Sequence, residues 1–127
     1  EDLFRIQSSS LSLISDLTLN NMAYHGIEIL SSNVTKIDQL KLKNLTFGIR
    51  ATNSKITEMV NSTLKNLGSN TIQKGGAIYL IESSIGIKNS TFEANSANSG
   101  GAIYIECKDA NSNTQCVNSI NGTIFNQ

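Results

Sequence analysis

The sequence Gly75-Gly76-Ala77-Ile78-Tyr79-Leu80 recurs almost unchanged as Gly100-Gly101-Ala102-Ile103-Tyr104-Ile105. Paired glycines favour a tight bend, because glycine alone adopts a positive φ without a clash at Cβ. The residues that follow alternate between small or polar and large apolar side chains, as in a strand with one buried face. The repeated order of bend and strand predicts a solenoid, in which short strands stack coil upon coil.

Ile78 and Ile103 are anchors for aligning the earlier part of the chain. We predict the equivalent residues at Ile6, Ile27 and Ile49, with successive intervals of 21, 22, 29 and 25 residues. Such periods indicate stacked supersecondary units. A second apolar position follows seven residues after each of the first four anchors, at Leu13, Val34, Ile56 and Ile85. The sequence therefore predicts an all-β solenoid of about five coils.

A third short strand in each coil is predicted to end near an asparagine. The segments are Leu17–Asn21, Leu40–Asn44, Ser62–Asn66, Ser90–Asn95 and Ile120–Asn126. We expect Asn21, Asn44, Asn66 and Asn95 to occupy a bend, because asparagine tolerates the left-handed conformation and bonds to nearby backbone. This is a structural role and not a catalytic one.

Stacking also predicts columns of side chains along the axis of the solenoid. The anchor isoleucines form an inward ladder, and the next residues form an outward column of Gln7, Glu28, Arg50, Tyr79 and Tyr104. In that column we predict a cross-strand ion pair of Glu28 with Arg50 and an aromatic pair of Tyr79 with Tyr104.

The Gly-Gly-Ala-Ile sequences, together with Phe92-Glu-Ala-Asn95, resemble the GGAI and FxxN repeats of chlamydial polymorphic outer-membrane proteins. They are also similar to pectin-lyase-like parallel β-helices of microbial surface proteins. The resemblance implies a right-handed, three-sheet parallel β-helix that is displayed outside the cell and is often adhesive. Segments such as Ile37–Leu45 resemble leucine-rich repeats, so a leucine-rich-repeat solenoid is the alternative fold.

Length and charge limit the classes of protein to consider. The 127 residues fit a single β-helix domain over residues 1–127, and we expect it to be a fragment or repeat unit of a longer protein or fibre. Ten basic and ten acidic residues cancel, so no net field attracts nucleic acid or an anionic membrane. The apolar runs are too short for a transmembrane helix, and we expect no membrane insertion.

Cys107 and Cys116 stand at the two ends of one polar loop. They either form a disulfide bond or remain as two free thiols. A metal site would need more soft ligands than the single histidine, His25, could add, so we expect no bound metal. We favour the disulfide, which indicates an oxidising, secretory compartment.

Five Asn-x-Thr sequons follow the pattern for N-glycosylation, at Asn33, Asn44, Asn61, Asn89 and Asn121. Some would arise by chance in a chain rich in asparagine and threonine. If Leu64, Phe92 and Ile124 point inward, strand alternation places Asn61, Asn89 and Asn121 outward, and Asn33 likewise. We therefore predict glycans along one side of the solenoid. We also predict that a eukaryotic secretory pathway delivers the protein to the cell surface or the extracellular space.

An enzyme on this fold would need clustered carboxylates directed at a sugar. Glu82 and Glu106 are the candidate pair, because they could stack on neighbouring coils, but a solvated edge is the favoured interpretation. Fold analogy alone does not license a catalytic function. We expect no enzymatic activity and no cofactor apart from covalent N-glycans.

These observations favour a glycosylated structural β-helix that stacks end to end into an extracellular or cell-surface filament. The alternative is an adhesin that binds glycans or other surface proteins on its flat faces, with Tyr79 and Tyr104 as the contacts. A polysaccharide lyase or hydrolase that uses Glu82 and Glu106 ranks third.

Overall fold

The computed structural model describes residues 4–20, 26–68, 74–108, 116 and 118–126. Within them the chain forms fifteen short strands, three to each coil. The first two coils comprise β1 (Phe4–Gln7), β2 (Ser10–Ser15), β3 (Thr18–Asn20), β4 (Ile27–Leu30), β5 (Asn33–Asp38) and β6 (Lys41–Lys43). The third and fourth comprise β7 (Ile49–Thr52), β8 (Lys55–Val60), β9 (Thr63–Lys65), β10 (Ile78–Ile81), β11 (Ser84–Lys88) and β12 (Thr91–Glu93). The fifth comprises β13 (Ile103–Glu106), β14 (Ser119–Asn121) and β15 (Ile124–Asn126).

The strands assemble into three five-stranded sheets that run along the sides of the solenoid. Sheet A has the order β1-β4-β7-β10-β13, sheet B β2-β5-β8-β11-β14 and sheet C β3-β6-β9-β12-β15. All pairings between neighbouring strands are parallel, as in β4 with β7 and β6 with β9. This confirms the predicted parallel β-helix of five coils. The leucine-rich-repeat alternative is wrong, because such repeats contribute one strand each and line a horseshoe with a single sheet.

The core consists of inward columns, one residue per coil. Ile27, Ile49 and Ile78 pair in register and are fully buried, and Ile103 continues their column. Val34, Ile56 and Ile85 form a second buried column in sheet B, so the seven-residue step is correct in these coils. Burial of these aliphatic side chains is the main force that stabilises the stack.

The predicted register of the first coil is wrong by two residues. Phe4, and not Ile6, pairs with Ile27, and Ile6 pairs with Ile29. The partner of Val34 is accordingly Leu11, while Leu13 lies on the outer surface with 56% of its area exposed. Phe4 and Ile6 are both apolar and face the same side of a strand, so alternation cannot distinguish between the two registers.

The described corners of the coils contain residues with a positive φ, and asparagine often takes this position. Asn44 and Asn66 do so at the corner from sheet C to sheet A, and the Nδ2 of Asn66 donates to the Oδ1 of Asn44 at 2.9 Å. Asn95 does not, because Ala94 has the positive φ in its coil. Asn95 instead bonds the coil before it, accepting from the backbone N–H of Leu67 at 3.0 Å. Asn21 lies outside the described residues.

Serine ladders at the other two corners were not predicted. At the corner from sheet A to sheet B, the Oγ atoms of Ser32, Ser54 and Ser83 each accept a hydrogen bond from a backbone N–H of the preceding coil, at 3.0 Å. Each hydroxyl also donates to the carbonyl two residues earlier in its own coil. Ser62 and Ser90 repeat the arrangement at the corner from sheet B to sheet C. The ladders satisfy backbone groups that the bends would otherwise bury unpaired.

Replacing Ser83 with alanine is expected to destabilise the protein by about 1–3 kcal/mol, because the N–H of Ser54 would remain buried without an acceptor. Chemical denaturation measures the loss. Ser9→Ala is the matched control: the Ser9 hydroxyl bonds Gln7 at the exposed first corner, and its removal should cost about 0.5 kcal/mol or less. Equal losses in the two variants would contradict the role of the ladder.

Candidate binding face on sheet A

The outward column of sheet A begins with Arg5 and not with Gln7, as the corrected register requires. Glu28 follows, then Arg50, Tyr79 and Tyr104. Glu28 lies beside Arg50 in register, but its carboxylate bonds Arg5, with Oε1 2.9 Å from both Nε and a terminal nitrogen of that side chain. The predicted ion pair between Glu28 and Arg50 is therefore wrong, because Glu28 also has a cation on its other side.

Arg50 packs on an aromatic ring instead. Its guanidinium carbon lies 4.1 Å from the centre of the Phe47 ring, a cation–π contact. The side chain is half-buried, and its Nε is buried without a hydrogen-bond partner. Sequence reasoning missed this contact, although Phe47 stands just before the glycine that opens β7.

Tyr79 and Tyr104 form the predicted aromatic pair. Their ring centres are 5.6 Å apart and the ring planes meet at 87°, an edge-to-face arrangement. The Nζ of Lys74 lies 5.1 Å from the centre of the Tyr104 ring and 2.9 Å from the Oε1 of Glu106. The hydroxyl of Tyr79 donates to the same carboxylate oxygen at 3.3 Å. Lys74 and Glu106 thus hold the two rings in place.

The electrostatics of this cluster favour the charged forms of Lys74 and Glu106 and the neutral form of Tyr79. The hydrogen bond from Lys74 lowers the pKa of Glu106, and the same bond raises the pKa of Lys74. The pKa of Tyr79 is raised, first by desolvation and then by the nearby negative charge of Glu106. At neutral pH the face therefore presents an ion pair beside the neutral hydroxyl of Tyr79.

Glu82 and Glu106 do not stack as a catalytic pair. Glu106 pairs in register with Ile81, and Glu82 is one residue further along, at a corner with a positive φ. The carboxylate of Glu82 accepts from the backbone N–H of Lys108, while Glu106 pairs with the side chains of Lys74 and Lys108. The two glutamates are offset by one residue because Glu106 is the last residue of β13, whereas Glu82 lies after the end of β10, in the corner. Both acids are engaged in local contacts.

Cys107 and Cys116 are joined in a disulfide, with Cα atoms 6.3 Å apart. Glu82 lies next to it, with an oxygen 3.7 Å from the Sγ of Cys107. Sulfur atoms in a disulfide are not thiolates, so this group of three does not offer the ligands that a soft metal requires. His25 lies outside the described residues.

The sequons do not form one column. Asn61 and Asn89 occupy the corner from sheet B to sheet C with positive φ, and Gly122, not Asn121, takes that position in the fifth coil. The shift follows from β15, where Phe125 stacks on Phe92 while Ile124 faces outward, contrary to prediction. Both residues are apolar, so alternation did not decide between them.

Asn33 begins β5 and is exposed, as are Asn61, Asn89 and Asn121. Asn44 is half-buried within the asparagine ladder.

The geometry defines the class of the chain as a parallel β-helix solenoid. Within it, residues 89–106, which include β12, the double glycine and β13, match the model of the Chlamydia polymorphic membrane protein repeat. This confirms that the later coils are similar to that repeat. No curated protein and no solved structure matches the chain. Among the described residues there is no helix with the length and hydropathy needed to span a membrane.

Proposed function

We propose that the chain is a non-enzymatic, surface-displayed β-helical rod that associates end to end into a filament. The similarity of residues 89–106 to the polymorphic membrane protein repeat supports display at a cell surface. The observation that carries the filament is that the apolar columns of the core reach both the first and the last coil of the described residues. Ile105, Ile120 and Phe125 are about half exposed at the last coil, and Phe4 is exposed at the first.

The columns of the core predict how two copies would meet. Phe125 continues the column of Phe92, Leu64, Leu42 and Leu19, so in a continued stack it would pack over Leu19 of the next copy. By the same pairing Ile103 would cover Phe4, which is exposed in a single copy, whereas Ile14 and Ile6, in the columns of Ile120 and Ile105, are already buried. Apolar side chains meet apolar side chains at each position. A head-to-tail contact of this kind does not close, so it produces a filament.

Phe125→Asp is expected to abolish assembly, because it places a charge within the apolar joint. Sedimentation velocity over a concentration series measures the association. Leu13→Asp is the matched control: Leu13 is as exposed as Phe125 or more, but it lies on the outer face of sheet B, beside Lys36. That variant should assemble like the wild type. A wild-type protein that stays monomeric at high concentration would overturn the filament, as would equal assembly of both variants.

N-linked glycans and passage through a eukaryotic secretory pathway are part of the proposal. The exposed side chains of Asn33, Asn61, Asn89 and Asn121 support it, since a glycan there would project into solvent. Peptide mass spectrometry of native material should find glycans at these four residues. Asn44 should be unmodified, because it is half-buried and its amide bonds both Asn20 and Asn66, whereas Asn61 is exposed and its amide bonds only Asp38 among the described residues. Unmodified peptides at all four exposed sites would contradict this part of the proposal and leave the filament untouched.

The second candidate function is adhesion through the face of sheet A. The rigid pair of Tyr79 and Tyr104 beside Arg50 supports it, because tyrosine and arginine are enriched among residues that contribute most to binding energy at interfaces.

A further inference from the structure

Arg50 is a half-buried cation that lacks an anionic partner. Among the described residues, four cations have no carboxylate oxygen within 4.0 Å: Lys41, Lys43, Lys55 and Arg50. The three lysines are exposed and keep their water, whereas Arg50 is half-buried and its Nε has no partner at all. A buried N–H of a charged group without an acceptor costs free energy. An incoming anion would not reach the buried Nε, but it would neutralise the charge that the guanidinium shares among its nitrogens.

The surroundings of Arg50 are already ordered for binding. The guanidinium rests on Phe47, and the neighbouring Tyr79 is held by its bond to Glu106. Tyr104 is held between Tyr79 and Lys74. Side chains that are fixed beforehand lose little conformational entropy when a partner binds. Arg50, Tyr79 and Tyr104 therefore form a rigid row of one cation and two rings across adjacent strands, which we name the arginine–tyrosine row.

The charge around this row favours an acidic partner. Arg5, Arg50, Lys74 and Lys108 outnumber Glu28, Glu82 and Glu106; Glu28 and Glu106 are neutralised by basic side chains, and Glu82 accepts the backbone N–H of Lys108. Glu28 in particular is bonded to Arg5, so it opposes an incoming carboxylate less than an unpaired neighbour would. The outer surface of a parallel sheet is flat, which suits contact with a protein surface.

We infer that the arginine–tyrosine row binds a protein partner through an aspartate or glutamate side chain flanked by apolar groups. The carboxylate pairs with the guanidinium of Arg50, and the flanking groups pack on Tyr79 and Tyr104. Arginine is suited to this role because its planar fork can bond both oxygens of a carboxylate. The inference rests on the adhesive role given above as the second candidate function.

The test uses nuclear magnetic resonance of the arginine side chains. The chain has two arginines, Arg5 and Arg50, so their Nε–H signals can be assigned by substituting either one. The probe is a short peptide with one glutamate between two phenylalanines, and its counterpart with glutamine is the control. The glutamate peptide should shift the Arg50 signal and leave that of Arg5 in place, and the glutamine peptide should shift neither.

Variants separate a specific contact from general attraction. Arg50→Gln should weaken binding of the glutamate peptide about tenfold or more, to the level of the glutamine peptide. Lys41→Gln removes the same charge from an exposed position on sheet C and should leave the affinity unchanged. Tyr104→Leu should weaken both peptides while retaining the discrimination between them.

The inference is overturned if the two peptides bind equally or if Lys41→Gln weakens binding as much as Arg50→Gln. It is also overturned if a uronic-acid disaccharide, tested in parallel, shifts the Arg50 signal at lower concentration than the glutamate peptide does. None of these outcomes bears on assembly, which Phe125→Asp tests separately.

Discussion

Phe92→Ala is expected to lower the free energy of unfolding by about 3–5 kcal/mol, the largest effect of a single core truncation in this chain. Phe92 is 1% exposed and occupies the core between Leu64 of the third coil and Phe125 of the fifth. Its ring stacks on that of Phe125, with centres 4.8 Å apart and planes at 19°. A cavity there would remove contacts from three successive coils. Urea denaturation followed by circular dichroism measures the loss.

Phe125→Ala is the control for Phe92→Ala, because it removes the same group from the same column at the end of the stack. Phe125 is 46% exposed, so its truncation should cost about 1–2 kcal/mol when measured at concentrations where the chain is monomeric. If both variants lose the same stability, the fourth coil does not lie inside the stack and the column assignment is wrong.

Gly48→Ala is expected to cost about 3 kcal/mol or more, or to prevent folding, because a side chain at this position has no room. An added Cβ would lie 2.1 Å from the carbonyl oxygen of Ala77 and 2.8 Å from the Cδ1 of Leu67. The first contact is with backbone, and that carbonyl accepts the N–H of Ile49 at 2.7 Å. Relief of the clash would therefore separate two coils. Thermal unfolding and soluble yield measure the result.

Gly101→Ala provides the comparison for Gly48→Ala. Its added Cβ would approach the carbonyl oxygen of Asn95 at 2.9 Å, and the next atoms are 3.6 Å away or more. The backbone must shift to relieve this one contact, but less than at Gly48, so we expect a smaller cost of about 1–2 kcal/mol. A Gly48→Ala variant as stable as Gly101→Ala would show that the third and fourth coils are not packed as described.

The fold could be predicted from the sequence because each coil repeats a local order of bend and strand. The double glycines identify the bends of the last two coils, and the anchors Ile27, Ile49, Ile78 and Ile103 fix the register between them. The predicted register of the first coil was wrong because Phe4 and Ile6 both suit an inward position. In the fifth coil the inward residue was predicted as Ile124 instead of Phe125 for a similar reason. Where two successive residues are apolar, alternation does not show which of them faces the core.

The corner ladders and the charge pairs could not be predicted in the same way. A serine at a corner is common in turns of every kind, and its bond to the preceding coil depends on how the two coils stack. Arg5 and Lys74 reach their acidic partners with long side chains, so a shared column does not determine which charges meet. The position of Arg50 on Phe47 follows from a contact across the corner of one coil, which strand periodicity does not describe.

Electron microscopy of native material, at a resolution that separates strands, tests the central claim most directly. We predict a rod with three sheets and strands about 4.8 Å apart along its axis. The strand spacing should continue without interruption from one copy to the next, with Phe125 meeting Leu19 at each joint. Discrete short rods whose end faces are covered by other segments would contradict end-to-end assembly. A particle without a strand repeat along its axis would contradict the β-helix itself.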